Sequence, residues 1–173
     1  MSRKLLQALG LLLVAAYMSA WAGAASAVTV GQVAPDFERM PLKGGQPVNL
    51  SDYLGQVIYL DFWASWCGPC RQSMPLMNEM YQDLSGQGFL VLAVNLDAYI
   101  DKALKFLKQY PVSYPVVRDI GGVLPEIYGL QGMPTAYLID RKGIVRYVHH
   151  GFRRGDAPDI REAVETLLRE QRQ

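Results

Sequence analysis

The sequence predicts an α/β fold in which a mixed central sheet is covered by helices on both faces. Two near-continuous apolar runs, 57–63 and 89–96, are typical of strands buried on both sides of a sheet. Segments with helical features separate the predicted strands from one another. A turn at 140–143 joins the last two predicted strands into a hairpin, so we expect parallel and antiparallel pairing in one sheet.

Turn residues, apolar periodicity and capping residues locate the individual elements. In chain order, they are a hairpin over 37–50, a helical turn begun by Ser51, a strand over 57–63, a helix from Gly68 to about Leu84, a strand over 89–96, a helix from Asp101 to about Gln109, a strand over 114–117, a short helix over 123–128, a hairpin of strands 135–139 and 144–148, and a last helix that follows Asp156. Pro75 is expected to kink its helix because proline removes a backbone donor. Asp101 and Asp156 are the predicted N-caps of their helices.

The N-terminus has the pattern of a secretory signal peptide. A basic start is followed by an apolar segment and then by small residues that end at Ala27, and no charged residue follows the basic start until Asp36. We predict cleavage after Ala27, which leaves 28–173 as a single domain in the periplasm. The alternative is an uncleaved membrane anchor, since the apolar stretch is just long enough to span a bilayer.

The charge composition of the chain argues against one class of binding partner. The chain has 17 basic and 16 acidic residues, and this near-balance argues against a nucleic-acid partner. No repeats or low-complexity tracts occur. We expect a monomer that needs no cofactor beyond its own cysteine pair.

Only two cysteines are present, Cys67 and Cys70, and they are separated by a Gly-Pro spacer. A disulfide that closes so short a loop constrains the unfolded chain very little, so a structural role is disfavoured. A structural zinc site needs four ligands, and no second cysteine pair exists. His149 and His150, the only histidines, are adjacent on a predicted strand and should point to opposite faces. The pair is therefore interpreted as a redox-active dithiol.

The cysteines follow a buried strand and open a helix, a position that suits thiol chemistry. The free N–H groups and the positive dipole end of a helix favour a thiolate, so Cys67 is the predicted nucleophile and Cys70 the resolving thiol. Asp61 lies on the apolar strand six residues before Cys67. Burial would raise the pKa of Asp61 and suit it to accept the Cys70 proton, whereas at a strand edge it would simply be solvated.

Several motifs together resemble a known family. The run DFWASWCGPC, from Asp61 to Cys70, resembles the active-site run of thioredoxins, and Gly132-Met133-Pro134-Thr135 resembles their cis-proline loop. The lead-in Ala34-Pro35-Asp36-Phe37, the stretch 50–55 and the signal peptide are similar to the exported TlpA/ResA-like branch of thioredoxin-like proteins. The resemblance covers about 34–168 and implies a thioredoxin fold with an N-terminal hairpin extension and an inserted helix and strand at 101–118.

The resemblance also implies roles for individual residues. Cys67 would be the nucleophile, Cys70 the resolving thiol, and Pro134 a cis-proline packed against the disulfide. The backbone of Met133 would pair with a bound partner as an added strand. Apart from the resemblance, the predicted positions of Trp66, Met133 and Met74 suggest a hydrophobic rim that receives an extended partner polypeptide.

Two positions depart from the family pattern. Several members place an acidic residue three positions after the second cysteine, where this chain has Ser73. This departure puts a specialised role in cytochrome c biogenesis in doubt. The lysine that thioredoxins place near their buried aspartate corresponds to Ala93, so we expect a still higher pKa for Asp61.

We therefore predict a periplasmic thiol:disulfide oxidoreductase that reduces protein disulfides and is recharged by a membrane thiol donor. The Gly-Pro spacer is that of thioredoxin, a reducing protein. A disulfide-forming oxidase is the first alternative, although its spacer usually contains a histidine.

Two other classes remain as alternatives. Ala34-Pro35-Asp36-Phe37 also opens peroxiredoxins, but Leu60 and Ala64 occupy the region where their active-site motif would lie, so that motif is absent. A copper-binding or metallochaperone module is suggested by methionines at three-residue spacing, since thioether suits Cu(I). These methionines are Met74, Met77 and Met80. Such spacing is more often core packing.

Overall fold

The computed structural model of the chain describes residues 27–170. The predicted signal peptide, apart from its last residue Ala27, lies outside the described residues. Within 27–170, no helix has both the length and the apolar character needed to cross a membrane.

The centre of the fold is a five-stranded sheet in the order β5-β4-β3-β6-β7. Its strands are β3 (Val57–Trp63), β4 (Phe89–Asn95), β5 (Val116–Arg118), β6 (Thr135–Ile139) and β7 (Val145–His150). The first three run parallel, whereas β6 pairs antiparallel with both β3 and β7. Two short strands, β1 (Glu38–Arg39) and β2 (Val48–Asn49), form a separate antiparallel hairpin at the N-terminus.

Helices cover both faces of this sheet. They are α1 (Cys70–Leu84), α2 (Ile100–Gln109), α3 (Val123–Tyr128) and α4 (Ala157–Glu170). Helices α1, α2 and α4 contribute to one core cluster, whereas α3 and the N-terminal hairpin region contribute to the other. The predicted mixed sheet, with its hairpin extension and inserted helix and strand, is confirmed.

Strand β3 lies at the middle of the sheet, and all seven of its residues are buried. Because side chains alternate along a strand, Tyr59 and Trp63 pack against α1, whereas Leu60 and Phe62 face the opposite side. Asp61 lies between Tyr59 and Trp63 in this alternation, so its side chain is on the face that α1 covers. The strand thus places a carboxyl group in the layer between the sheet and α1.

The inserted segment differs from the prediction at two of its boundaries. Helix α2 begins at Ile100 with Tyr99 as its N-cap, so the predicted cap Asp101 lies instead within the first turn. Strand β5 starts at Val116, two residues later than predicted. Pro115, which has no N–H to donate, only accepts a hydrogen bond from the Ala93 N–H at 3.0 Å.

Other boundary differences arise at helix starts. Helix α1 begins at Cys70, with Pro69 as its N-cap, and continues through Pro75 to Leu84. Asp156 was predicted to cap the last helix. Its carboxylate instead accepts the N–H of Arg153 at 2.7 Å, so it closes the 3-10 turn that leads into α4.

Candidate active site

Cys67 and Cys70 are joined in a disulfide at the N-terminus of α1, with their Cα atoms 5.3 Å apart. The N–H of Cys70 points at the Cys67 sulfur, at 3.2 Å. Cys67 is 4% exposed and Cys70 is fully buried. The sulfur of Cys67 is therefore the one nearer to solvent, and it lies against the positive end of the helix.

Asp61 is buried and unpaired in the layer below α1. It is 1% exposed, and no described residue provides a hydrogen-bond partner for its Oδ2 atom. Burial raises the pKa of Asp61 from 3.8 to about 8, because a charged carboxylate loses its hydration there. The neutral acid is thus the main form at pH 7, and the expectation of a buried, perturbed Asp61 is met.

Within residues 27–170, no Lys, Arg or His forms an ion pair with Asp61. Ala93 on β4 is its register partner, which is where the family resemblance placed the absent lysine. Tyr59 and Tyr114 lie close enough that the charge of Asp61 contributes to raising their own pKa values, although burial is the larger cause for both. Tyr114 follows α2, and its hydroxyl donates to the Met74 carbonyl of α1 at 3.5 Å.

The loop before β6 contains Met133 and Pro134. The peptide bond between Met133 and Pro134 is cis, as the resemblance implies. Pro134 is buried, and its carbonyl accepts the N–H of Gly151 from the end of β7 at 2.8 Å. Met133 is half-buried and packs against the core cluster that contains both cysteines. Met133 therefore borders the same core cluster as the two cysteines.

A cavity of about 390 Å³ opens beside this loop. Its lining combines the loop with the end of β7: Gln131, Gly132, Met133, Thr135, His150 and Gly151. Trp66, next to Cys67, is 67% exposed. Met74, in contrast, is fully buried, so its predicted place on the hydrophobic rim is wrong.

A hydrogen-bonded cluster at the ends of β3 and β4 was missed by the sequence reasoning. Asp97 accepts the Ser65 N–H at 2.9 Å, the Ser65 hydroxyl at 2.7 Å and the Asn95 side-chain amide at 2.8 Å. A signal for it exists in the sequence. Parallel strands end at the same edge of a sheet, so polar residues that follow two adjacent strands should meet there.

The methionines and histidines that were considered as metal ligands make other contacts in the structure. Met74, Met77 and Met80 are at most 2% exposed and lie in the core beneath α1, which accounts for their helical spacing. Nε2 of His149 lies 3.3 Å from the Asp156 carboxylate, whereas Nδ1 of His150 lies 3.5 Å from the Thr135 hydroxyl oxygen. In the described part of the chain, no group of three or more His, Cys, Asp or Glu side chains is arranged to hold a metal ion.

Ser73 fills the position where several relatives carry an acidic residue. Its side chain is 2% exposed, and its hydroxyl donates to the Cys70 carbonyl within the helix at 3.4 Å. Ser73 therefore adds no charge beneath the disulfide, and Asp61 is the carboxylate buried on that face of β3.

Comparison with known families now identifies the chain. The AhpC/TSA family matches residues 30–148, most of the described chain. The protein belongs to the AhpC/TSA family. Among its curated relatives, the thiol-disulfide oxidoreductase ResA of Geobacillus thermodenitrificans is 36% identical over 142 residues, which cover 82% of this chain and 80% of that protein. ResA of Geobacillus kaustophilus is 39% identical over 126 residues, covering 73% of this chain and 72% of the relative.

Two solved structures are also similar to this AhpC/TSA member. A thiol:disulfide interchange protein DsbE from Chlorobium tepidum superimposes with a TM-score of 0.79 at 48% identity, covering 82% of this chain and 99% of that one. A protein disulfide isomerase from Bacteroides thetaiotaomicron gives a TM-score of 0.75 at 28% identity, with 84% and 93% covered. With its Cys-X-X-Cys disulfide on a thioredoxin fold, the chain is a thiol:disulfide oxidoreductase.

Proposed function

We propose that the chain works outside the cytoplasm as a reductase of disulfides in partner proteins. The observation that carries the proposal is the Cys67–Cys70 disulfide at the start of α1, together with the unpaired, buried carboxyl group of Asp61 on the face of β3 that α1 covers. The Gly-Pro spacer, which lacks the histidine usual in oxidases, supports the reducing direction.

The proposed reaction is a pair of thiol–disulfide exchanges. The Cys67 thiolate of the reduced protein attacks one sulfur of the partner's disulfide, whose S–S bond breaks as a new intermolecular S–S bond forms. The departing partner sulfur leaves as a thiolate and takes a proton from solvent. The Cys70 sulfur then attacks the Cys67 sulfur, which forms the intramolecular disulfide and releases the second partner thiol. Two electrons and two protons pass to the partner in total.

Asp61 is proposed to take the Cys70 proton in the second exchange, directly or through water, and to return it to the released thiol. A base works best when its pKa lies near that of the group it deprotonates, because the transfer then costs little free energy. With a pKa of about 8, Asp61 is close to the ordinary value of about 8.5 for a thiol. We expect the second exchange to quicken as pH rises through 8 and to slow in Asp61→Asn.

The partner is proposed to be an extended polypeptide that lies across the cis-proline loop. Trp66 provides an exposed aromatic surface beside Cys67, and the cavity next to Met133 provides room for a neighbouring side chain. The backbone of Met133 would pair with the partner as an added strand. Pro134 would pack against the disulfide from the same loop.

The sequence pattern supports export, and the reaction cycle requires a reductant. The basic, apolar and small-residue segments that end at Ala27 support a signal peptide, and 28–173 would then form a single exported domain. Each turnover leaves the Cys67–Cys70 disulfide, so a second dithiol must reduce it. We propose a membrane thiol donor for this step, with the chain itself acting as a monomer.

The reduction potential of the Cys67–Cys70 couple tests the direction. The protein is equilibrated with defined thiol buffers, and the fraction of dithiol is measured. A value at or below roughly −250 mV supports a reductase, because thioredoxin lies near −270 mV. A value near roughly −120 mV, as in strong oxidants, would overturn the proposed direction in favour of a disulfide-forming oxidase.

A trapping experiment tests the order of the two cysteines. Cys70→Ser should accumulate a mixed disulfide between Cys67 and a disulfide-containing polypeptide, because the resolving thiol is missing. The matched variant, Cys67→Ser, should form none. Equal trapping by both variants would contradict the assigned roles.

A further inference from the structure

The reaction leaves one polar cluster beside the cysteines without a role: Ser65, Asn95 and Asp97. We propose that Asp97 is a positioning residue that holds the loop before Cys67 in place and, through its negative charge, keeps the Cys67–Cys70 couple reducing. This inference rests on the proposed role of Cys67 as the nucleophile. It adds a residue that tunes the strength of that nucleophile.

The contacts of Asp97 form a two-point clamp on the active-site loop. Both oxygens take part: Oδ2 accepts the Ser65 backbone N–H at 2.9 Å, and Oδ1 accepts the Ser65 hydroxyl at 2.7 Å. Oδ2 also accepts the side-chain amide of Asn95 at 2.8 Å, and the Asn95 side-chain oxygen in turn accepts the Asp97 N–H at 3.2 Å. All three donors are thus satisfied by the two oxygens of the Asp97 side chain.

The backbone connects this clamp to the rigid sheet. Asn95 is the register partner of Trp63, and the Leu96 N–H donates to the Trp63 carbonyl at 2.9 Å. Asp97 therefore lies just beyond the last pairing between β3 and β4, opposite the point where the chain leaves β3. The loop then turns towards the disulfide through the bond from the Cys67 N–H to the Ala64 carbonyl, at 3.0 Å.

The charge on Asp97 is not neutralised by a cation. Its donors are a backbone amide, a hydroxyl and a side-chain amide, and within residues 27–170 no ion pair joins it to Lys, Arg or His. The Asp97 carboxylate binds Ser65, two residues before Cys67, and a negative charge near a thiol disfavours its thiolate because like charges repel. This effect opposes the helix N-terminus, which favours the thiolate.

The balance between these two effects influences the reduction potential of the Cys67–Cys70 couple. A stabilised thiolate stabilises the reduced protein and makes the couple more oxidising, as in the strongest known oxidants. By weakening that stabilisation, Asp97 would make the dithiol a better electron donor. Its carboxylate therefore suits a reductase, whereas an oxidase would gain by losing it.

The test compares variants that separate the charge of Asp97 from its hydrogen bonds. Asp97→Asn removes the charge and keeps an acceptor oxygen, whereas Ser65→Ala removes one hydrogen bond and keeps the charge. Asp97→Glu keeps the charge with a longer side chain. For each reduced full-length protein, the rate of Cys67 alkylation by iodoacetamide is measured against pH, and the Cys67–Cys70 couple is equilibrated against glutathione.

We expect Asp97→Asn to lower the pKa of the Cys67 thiol by about one unit, the usual size of a nearby-charge effect. The equilibrium with glutathione should move towards the dithiol by up to tenfold, which makes the potential about 30 mV less negative. Ser65→Ala and Asp97→Glu should retain the wild-type pKa. Rescue by glutamate would not be expected of a purely structural role.

Two outcomes would overturn the inference. In one, folded Asp97→Asn keeps the wild-type pKa and potential. In the other, Ser65→Ala shifts both as far as Asp97→Asn does, which would make the hydrogen bonds and not the charge responsible. If Asp97→Asn does not fold, Asp97→Ser is measured against the same two criteria. Failure of the proposed function is seen separately, as disulfide reduction that persists in Cys67→Ser.

Discussion

Replacing Asp61 by asparagine is expected to stabilise the oxidised protein at neutral pH, although the residue is proposed to serve the reaction. Asp61 is 1% exposed, has no described partner for Oδ2, and has a pKa of about 8 in the folded protein. In the unfolded chain, an aspartate titrates near 3.9. The folded state therefore holds a proton that the unfolded state releases at neutral pH.

The sign and size of the effect follow from proton linkage. Below roughly pH 4 both states are protonated, and Asp61 causes no difference in stability. As pH rises towards 8, the unfolded state ionises first, so the free energy of unfolding falls by about 1.4 kcal/mol for each pH unit. About three units separate pH 7 from the unfolded pKa, so the penalty there is about 4 kcal/mol at most. Above the folded pKa of about 8, the curve levels off.

Asparagine has the same shape and cannot ionise, so it avoids this penalty. The buried amide has its own desolvation cost, about 1 kcal/mol beyond that of the neutral acid. Asp61→Asn should therefore raise the free energy of unfolding by about 3 kcal/mol at pH 7, whereas at pH 4, where the ionisation penalty is small, it should lower that free energy by up to about 1 kcal/mol. Urea unfolding of the oxidised proteins, followed by tryptophan fluorescence over this pH range, measures both quantities.

Asp119 offers a matched control, because it is buried but paired. Its carboxylate accepts Nε of Arg39 at 2.8 Å and the Leu124 N–H at 2.9 Å. Asp119→Asn should destabilise the protein by about 1–3 kcal/mol and keep the wild-type slope with pH. The reasoning about Asp61 is refuted if wild-type stability is flat between pH 5 and 8, or if Asp61→Asn is the less stable protein at pH 7.

Three further changes are expected to have separable effects. Leu92→Ala, at a fully buried position of β4, should lower the free energy of unfolding by about 2–5 kcal/mol while leaving the reduction potential unchanged. Arg141→Ala removes a hydrogen bond of 2.7 Å to the Gly55 carbonyl and should cost about 1 kcal/mol in urea unfolding, whereas the exposed neighbour change Lys142→Ala should cost nothing measurable. Trp66→Ala should slow reduction of a protein disulfide several-fold without moving the potential, and an unchanged rate would exclude Trp66 from partner binding.

The disulfide, the helix behind it and the strand before it could be predicted from local patterns. A near-continuous apolar run identifies a strand buried on both faces, and Cys67 and Cys70, which follow it closely, are too near each other for a structural disulfide. The prediction that Asp61 is buried depended on the same run. Each of these inferences uses neighbours along the chain, which the sequence displays directly.

The predictions that failed, and the contact that was not predicted, depend on how helices, strands and loops pack against one another. Met74 was placed on the rim beside the disulfide, but α1 turns that face into the core, where it is fully buried. Asp101 is a good capping residue by type, yet the N-cap of α2 is Tyr99, two residues earlier. The partnership of Ser65 with Asp97 spans 32 positions and was not predicted at all.

The sequence by itself determined the chemistry of this protein: a dithiol at the start of a helix, a carboxylate on the preceding strand and a proline loop farther along. These features are encoded by residue type and short-range periodicity, so they can be predicted before the chain is folded. Only the tertiary structure decided how strongly that chemistry is tuned. Asp61 lies opposite Ala93, which supplies no cation, and Asp97 reaches the loop before Cys67. Both arrangements depend on the register in which β3 and β4 pair. That register results from burial of the two sheet faces, which no local pattern specifies.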